Sequence, residues 1–176
     1  LACIVYVPLG SLFPLMVLSH FNGTVWHNGV VEFLFSTGLM VSSLAMGIWG
    51  GLKKQFLMIS ASLIGLGLLV AVSGILPPNA FIFFAAISFL MGCTGTFFNV
   101  PYMAYMQRTV PMDMLGKVMS LSLSAMSFAI PIGLVIAGPV AEIIGIAQWF
   151  LYSGIAMLGV GFLCYFITAF IYLFLR

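Results

Sequence analysis

Few side chains in this 176-residue sequence could carry out chemistry, and Glu32 is the most informative of them. It is the acidic residue that lies closest to the interior of a long apolar segment. One interpretation is a first-turn carboxylate that complements the amino end of a helix. The other is a protonatable or cation-binding group that faces a cavity. The remaining acidic residues, Asp113 and Glu142, lie at the ends of apolar segments, which favours a solvated or interfacial position for both.

Hydroxyl and amide side chains recur at helical spacing in two later apolar segments. They are Thr96 and Asn99 in the first segment, and Ser120, Ser124 and Ser127 in the second. Polar groups inside an apolar helix are tolerated where they face protein or a watery cavity. The pattern therefore predicts either hydrogen bonds between helices or a surface that contacts a substrate.

Prolines and glycines interrupt the same two segments. Asn99 is followed by Pro101, and a proline leaves a carbonyl of the preceding turn without its N–H partner. This pair predicts a functional break in the helix. The second segment contains Pro131, Gly133, Gly138 and Pro139. Because proline weakens a helix and glycine removes side-chain bulk, we expect residues 129–141 to bend and to pack closely against a neighbouring helix.

Small residues at every fourth position form two series that allow helix backbones to approach closely. The first series is Ser43, Gly47 and Gly51, and the second is Ala129, Gly133, Ala137 and Ala141. Each series predicts a close contact between two helices.

Composition sets the class of protein. The sequence is 64% hydrophobic and 5% charged, with a mean hydropathy of +1.29, whereas a soluble domain carries about 25% charged residues. This indicates an integral membrane protein, whose backbone must be satisfied within helices or a closed barrel. The apolar runs are far longer than the ~10 residues of a barrel strand, so the fold class is all-α. A net charge of +2 with scattered basic residues gives no indication of nucleic acid binding.

Catalytic and metal-binding patterns are not found in the sequence. His20 and His27 are seven residues apart and have no further ligands at suitable spacing, so we expect no metal site. Cys3, Cys93 and Cys164 lie in apolar runs and are interpreted as packing residues. No nucleophile–base pair, phosphate-binding loop or zinc-protease helix is present, and the sequence predicts neither an enzyme nor a cofactor.

Six apolar segments are long enough to span a membrane, at about 20 residues each. We predict a single six-helix bundle over residues 1–176, with spans at residues 1–18, 30–51, 55–76, 80–103, 118–140 and 149–175. The connecting polar stretches are residues 20–28, 52–54, 77–79, 107–117 and 142–148. The sequence starts inside a span, so we expect a longer protein whose beginning is missing.

The basic residues predict how the spans are oriented. The short hinge GIWGGLKK at residues 47–54 joins spans two and three and contributes Gly47, Gly51, Lys53 and Lys54. With this topology, Arg108, Lys117 and Arg176 fall on the same face as the two lysines, which makes that face and both ends of the chain cytoplasmic. Arg108 and Lys117 are interpreted as topology signals, with a gating ion pair to Asp113 as the alternative.

Several motifs, in this order and spacing, resemble the carboxy-terminal half of a major facilitator superfamily transporter. They are PLGSLFPLM (residues 8–16), GIWGGLKK (residues 47–54), NVPYMAYMQRTVP (residues 99–111), GKVMSL (residues 116–121) and PIGLVIAGPVAEIIG (residues 131–145). The likeness is to the branch of drug:proton antiporters that includes macrolide efflux proteins. One departure is that Gly51 and Leu52 stand where the superfamily's loop motif usually places an aspartate and an arginine.

This resemblance implies a secondary active transporter in the cell inner (plasma) membrane. It implies proton-coupled efflux of amphipathic drugs such as macrolides, with the substrate path between this bundle and a missing amino-terminal bundle. Spans one, two, four and five would line the cavity, and spans three and six would lie outside. The partners implied are the lipid bilayer, the missing half, a small amphipathic substrate and protons. The alternative function is a six-span channel or membrane scaffold subunit that acts as an oligomer.

Overall fold

Every secondary-structure element that the structure describes is a helix. A computed structural model describes residue 10 and residues 12–49 and 55–174. Its elements are helix 1 (Met16–His20), helix 2 (Val25–Trp49), helix 3 (Gln55–Ile75), helix 4 (Phe81–Thr109), helix 5 (Met112–Ile144) and helix 6 (Ile146–Phe174). Within these residues, helices 2 to 6 are each long and apolar enough to cross a membrane.

Helix 1 is a single π-helical segment that continues from α-helical residues 12–15. The rest of the first predicted span lies outside the described residues. The other five predicted spans each correspond to one long helix, and the all-α class is confirmed. The Pro77–Asn79 break is confirmed as well, because Ala80 N–H donates to the Pro77 carbonyl at 2.9 Å in a turn between helices 3 and 4.

The predicted cytoplasmic stretch at residues 107–117 is wrong in its extent. Only residues 110–111 lie outside the helices, since helix 4 continues to Thr109 and helix 5 begins at Met112. Helix 4 has 29 residues and is therefore about 43 Å long, well beyond the ~30 Å of a hydrocarbon core. Helices of this length extend into the polar interface, so their ends are not marked by the edges of the apolar runs. At the start of helix 5, the N–H groups of Met114 and Leu115 both donate to the Pro111 carbonyl, each at 3.0 Å.

The stretch at residues 142–148 is also almost entirely helical. Gly145 alone separates helices 5 and 6. Its φ of 96° lies in the left-handed region, where a side chain is strained and glycine is not. Its N–H donates to the Ala141 carbonyl at 3.0 Å, which closes helix 5. A single glycine is therefore sufficient to turn the chain here.

Helices 3 and 6 form a close pair through four glycines. These are Gly67 and Gly74 on helix 3 and Gly154 and Gly161 on helix 6. A Cβ added at Gly74 would lie 2.5 Å from the backbone nitrogen of Leu151, and one at Gly154 would lie 2.6 Å from Ala71 Cα. No side chain fits between backbones at this separation, so glycine is required at both positions.

Helices 2 and 4 form a second close pair, in which one glycine from each helix meets the backbone of the other. A Cβ at Gly38 would meet the carbonyl of Phe89, and a Cβ at Gly92 would meet the carbonyl of Phe35. The predicted series Ser43, Gly47 and Gly51 does not make this contact. Ser43 is exposed, Gly47 faces open space and Gly51 lies outside the described residues.

Helix 5 is the least covered of the long helices. Its second small-residue series is buried, with Ala137 0% and Ala141 3% exposed, and Ala129 and Gly133 are also buried. The opposite side of the helix is apolar and open, with Leu121 72%, Val135 74% and Ile143 83% exposed. One face of helix 5 therefore packs on the bundle, and the other face has no partner among the described residues.

Aromatic side chains on either side of helix 1 in the sequence pack against helices 4 and 6. Phe84 and Phe150 are both fully buried. Their rings lie 5.3 Å and 5.9 Å, centre to centre, from the ring of Phe13. Phe21 adds a further ring 4.9 Å from Phe84. This cluster holds the short first helix against the bundle, since such pairs add to the burial of apolar area.

Residues beside the two ends of helix 4 provide a test of the predicted orientation. In the full-length protein with its native cysteines replaced, a cysteine at Asp113 is expected to react with a membrane-impermeant maleimide only from the cytoplasm. Cysteines at Asn22 and Asn79 are expected to react only from outside. The His20 Nε2–Leu76 carbonyl hydrogen bond of 3.0 Å places Asn22 and Asn79 at the same end of the bundle, so they are matched controls. Labelling of Asp113 and Asn79 from the same side would contradict the topology.

Candidate functional site

An apolar cavity with one carboxylate lies inside the bundle. Its volume is about 220 Å³. The described residues that line it are Gly10, Phe13, Glu32, Phe35, Leu66, Val70 and Met91. They come from the segment before helix 1 and from helices 2, 3 and 4. Helix 3 therefore lines this cavity within the bundle, and helix 5 contributes none of these residues.

Glu32 is the only ionisable group among these lining residues. It lies seven residues after Val25, the first residue of helix 2, or about 10 Å along the axis. The first-turn interpretation of Glu32 is therefore wrong, because helix 2 begins earlier than the apolar run. Glu32 is exposed and is also one of the described residues that line the cavity. No ion pair to Glu32 is found among the described residues.

Asn28 is the hydrogen-bond partner of this carboxylate. Its Nδ2 donates to Glu32 Oε1 at 3.2 Å. Its Oδ1 is buried and has no hydrogen-bond partner in the described part of the chain. Sequence reasoning missed Asn28, although residues four apart on a helix are neighbours and the spacing to Glu32 was visible.

Thr24 and His27 form the start of helix 2 beside this pair. His27 Nδ1 accepts the Thr24 N–H at 3.1 Å and also lies 2.8 Å from Thr24 Oγ1. Such a bond satisfies one of the N–H groups that the first turn of a helix leaves free. The predicted polar stretch at residues 20–28 is consequently reduced to residues 21–24. In the described part of the chain, no group of three His, Cys, Asp or Glu could hold a metal ion.

Thr96 lies in the contact between helices 2 and 4 rather than in the cavity. It is 4% exposed, and its hydroxyl donates to the carbonyls of Leu39 at 3.3 Å and Gly92 at 3.4 Å. Cys93 Sγ donates to the Gly38 carbonyl at 3.4 Å in the same contact. Of the two roles considered for Thr96, the hydrogen bond between helices is the one that this geometry supports.

Asn99 and Pro101 do not break helix 4. Asn99 is exposed and Pro101 is buried, and the helix continues beyond both to Thr109. Membrane helices tolerate an interior proline where neighbouring groups satisfy the freed carbonyl. The predicted break at this position is therefore not present in the structure.

The polar residues of helix 5 lie away from Glu32. Ser120, Ser124 and Ser127 are exposed, and the Ser120 hydroxyl donates to the Lys117 carbonyl at 2.9 Å. Pro131 and Pro139 are exposed, and helix 5 is continuous through both. Gly133 is buried, whereas a Cβ at Gly138 would meet nothing within 4 Å. The structure thus brings the serines, Pro139 and Gly138 to an open surface.

A second cavity, of about 350 Å³, lies between helix 5, the start of helix 6 and the residues just before helix 1. Its described lining residues are Leu12, Leu15, Gly138, Pro139, Ala141, Glu142 and Ile146. Glu142 is exposed, and this cavity is more open than the one at Glu32. Glu32 and Glu142 therefore line different cavities.

Two charged side chains, Arg108 and Asp113, lie at the ends of helices. Arg108 is in the last turn of helix 4 and Asp113 is in the first turn of helix 5, where each charge complements the helix dipole. Among the described residues, neither Arg108 nor Lys117 forms an ion pair with Asp113. The alternative role as a gating pair is thus not seen in this conformation. Lys53, Lys54 and Arg176 lie outside the described residues.

Long apolar helices joined through glycine contacts indicate a polytopic membrane protein. The chain is 36% identical over 160 residues to macrolide efflux protein A of Streptococcus pyogenes, which covers 91% of this chain and 40% of the relative. It is 38% identical over 130 residues to macrolide efflux protein A of Enterococcus faecalis, over 74% of this chain and 40% of the relative. A multidrug efflux pump, Tap, of Mycolicibacterium fortuitum is 28% identical over 165 residues, or 92% of this chain and 39% of the pump. No family model matches the chain.

The chain is therefore homologous to part of the macrolide efflux proteins, as the motifs predicted. It spans about 40% of the length of these relatives. The relatives are efflux proteins and not enzymes, which confirms that prediction too.

Proposed function

We propose that this chain forms one of two helical bundles in a secondary active transporter that exports amphipathic drugs, such as macrolides, in exchange for protons. The observation that carries the proposal is the position of Glu32, the one carboxylate among the described residues that line the cavity of about 220 Å³, in a chain homologous to macrolide efflux proteins. An ionisable side chain within a membrane span is costly and is typically functional. Among the described residues, Glu32 has no cationic partner.

The size of the cavity supports a second bundle. Sites for drug-sized ligands usually have volumes of about 300–1,000 Å³, whereas the cavity at Glu32 has about 220 Å³. It can hold part of an amphipathic molecule and not the whole. The remaining volume would come from the partner bundle, which fits a chain that spans 40% of its relatives.

The open face of helix 5 is the surface that we assign to this partner bundle. It combines exposed apolar side chains with the three serines Ser120, Ser124 and Ser127. A face with both apolar and hydroxyl side chains could contact helices of the second bundle and also an amphipathic substrate. Residues 129–141, with Pro131, Gly133, Gly138 and Pro139, would move against the second bundle as access alternates between the two sides of the membrane. Asn99 and Pro101 lie on helix 4 and would belong to the same path.

We place the transporter in the inner (plasma) membrane, with Lys53, Lys54, Arg108, Lys117 and both ends of the chain on the cytoplasmic side. The homology to efflux pumps favours a transporter over the channel or scaffold alternative. No cofactor and no nucleic acid takes part in the proposed function.

Drug accumulation tests the two-bundle proposal. Cells that express the full-length protein are expected to retain several-fold less of a radiolabelled macrolide than cells with an empty vector. Cells that express residues 1–176 alone are expected to retain as much as the vector control, because half of the substrate path is absent. Co-expression of the rest of the protein with this chain should restore part of the efflux. Efflux by residues 1–176 alone, with the chain shown to be inserted, would contradict the proposal.

A further inference from the structure

Only one of the two polar atoms in the Asn28 side-chain amide has a hydrogen-bond partner among the described residues. Its Nδ2 donates to Glu32 Oε1 at 3.2 Å. Its Oδ1 is buried without a hydrogen-bond partner in the part of the chain that the structure describes. A buried carbonyl oxygen without a donor is unfavourable and requires an explanation. The arrangement would be complete if one further donor reached Asn28 Oδ1.

Glu32 can itself become that donor. An ionised carboxylate only accepts hydrogen bonds, but a protonated carboxyl has one O–H donor and keeps an acceptor oxygen. A primary amide offers one N–H and one carbonyl oxygen side by side. A carboxylic acid and an amide can therefore form two hydrogen bonds at once, O–H to the amide oxygen and amide N–H to the carboxyl oxygen. The ionised pair can form only the second, which is the bond observed.

Among the described residues, no other titratable group takes part in this exchange. Both residues lie on one face of helix 2, one turn apart, so the helix holds them in register. The neighbouring titratable groups have other partners: His27 Nδ1 is bound by Thr24, and His20 Nε2 lies against the Leu76 carbonyl. Helices 3 and 4 contribute Leu66, Val70 and Met91 to the cavity, none of which titrates.

We propose that Asn28 is a positioning residue that holds the transported proton on Glu32. When the carboxylate takes up H⁺ to give the carboxylic acid, its O–H donates to Asn28 Oδ1 and Asn28 Nδ2 keeps its bond to Oε1. When the proton leaves, only the Nδ2–Oε1 bond remains and Oδ1 loses its donor. This inference rests on the proposed function, since it takes Glu32 as the proton-binding group.

Infrared difference spectroscopy of the full-length protein between acid and alkaline pH tests this pairing. The wild-type protein should show a carboxyl C=O band that is absent in Glu32→Gln, which assigns the band. Asn28→Leu, which is close to Asn in size and has no polar group, should move the band to higher wavenumber because both hydrogen bonds are lost. Asn28→Gln retains the amide and should leave the carboxyl band at its original wavenumber. An unchanged band in Asn28→Leu would overturn the proposal.

Efflux measured with the same variants separates this inference from the proposed function. We expect Asn28→Leu to lower macrolide efflux three- to tenfold at equal amounts of membrane protein, and Asn28→Gln to remain within twofold of wild type. If Asn28→Leu fails to accumulate, Asn28→Ser, whose hydroxyl is too short to form both bonds, should give the same band shift and loss. Normal efflux in Glu32→Gln would refute the proposed role of Glu32. Loss in Glu32→Gln with normal efflux in Asn28→Leu and Asn28→Ser would refute only the role of Asn28.

Discussion

Gly154→Leu is expected to prevent stable folding of the bundle. An added Cβ would lie 2.6 Å from Ala71 Cα and 2.7 Å from Ala71 Cβ, and the backbone of helix 3 cannot move aside as the end of a flexible side chain would. Helices 3 and 6 would have to separate and lose the contacts of all four glycines. Overpacking a core typically destabilises by about 1–3 kcal/mol, and because the obstacle here is backbone we expect about 3 kcal/mol or more.

Gly159 provides the matched control on the same helix. A Cβ at Gly159 meets nothing within 4 Å, and the residue is exposed. Gly159→Leu should therefore change stability by less than about 0.5 kcal/mol, as is usual for surface positions. The measurement is thermal unfolding of the full-length protein in detergent, together with the amount recovered from membranes. Equal melting temperatures for the two variants would show that the glycine contact between helices 3 and 6 is not required.

Glu32→Gln is expected to lower macrolide efflux tenfold or more without affecting insertion. Glutamine has nearly the same size and can still accept the Asn28 Nδ2 hydrogen bond. It cannot take up or release a proton, so a transporter that uses this carboxylate for coupling would lose its driving force. The measurement is macrolide accumulation in cells, normalised to the amount of membrane-embedded protein.

Glu142→Gln is the control that removes a carboxylate at a different position in the bundle. Glu142 lies in the separate cavity beside helix 5 and is exposed. We expect this variant to keep efflux within twofold of wild type. Equal losses in the two variants would indicate a general effect of removing a negative charge and would contradict a specific role for Glu32.

The fold was predictable from the sequence because its physical cause is local. Apolar runs of about 20 residues must form helices in lipid, and this located helices 2 to 6. Helix ends were predicted less well, since Thr24, Pro111 and Gly145 define them through backbone geometry outside the apolar runs. The first-turn interpretation of Glu32 was wrong for the same reason, because helix 2 begins at Val25, before the apolar run.

Helix pairing was only partly predictable. The sequence contains 19 glycines, and spacing alone does not distinguish the contact at Gly38 and Gly92 from the open position at Gly47. Which face of a helix is buried depends on its neighbours, so the series at Ser43 was misassigned and the series at Ala129 was not. The cavity at Glu32 was not predictable in detail for the same reason, since it needs side chains from segments as far apart as Phe13 and Met91.

The most direct test of the account is proton movement by the purified full-length protein in liposomes that contain a pH-sensitive dye. With an imposed pH gradient, addition of a macrolide to wild-type liposomes should cause proton flux opposite in direction to the drug. Liposomes with Glu32→Gln should show no macrolide-dependent flux, while those with Glu142→Gln should behave as wild type. Macrolide-dependent proton flux that persists in Glu32→Gln would contradict the assignment of Glu32 as the proton-binding group.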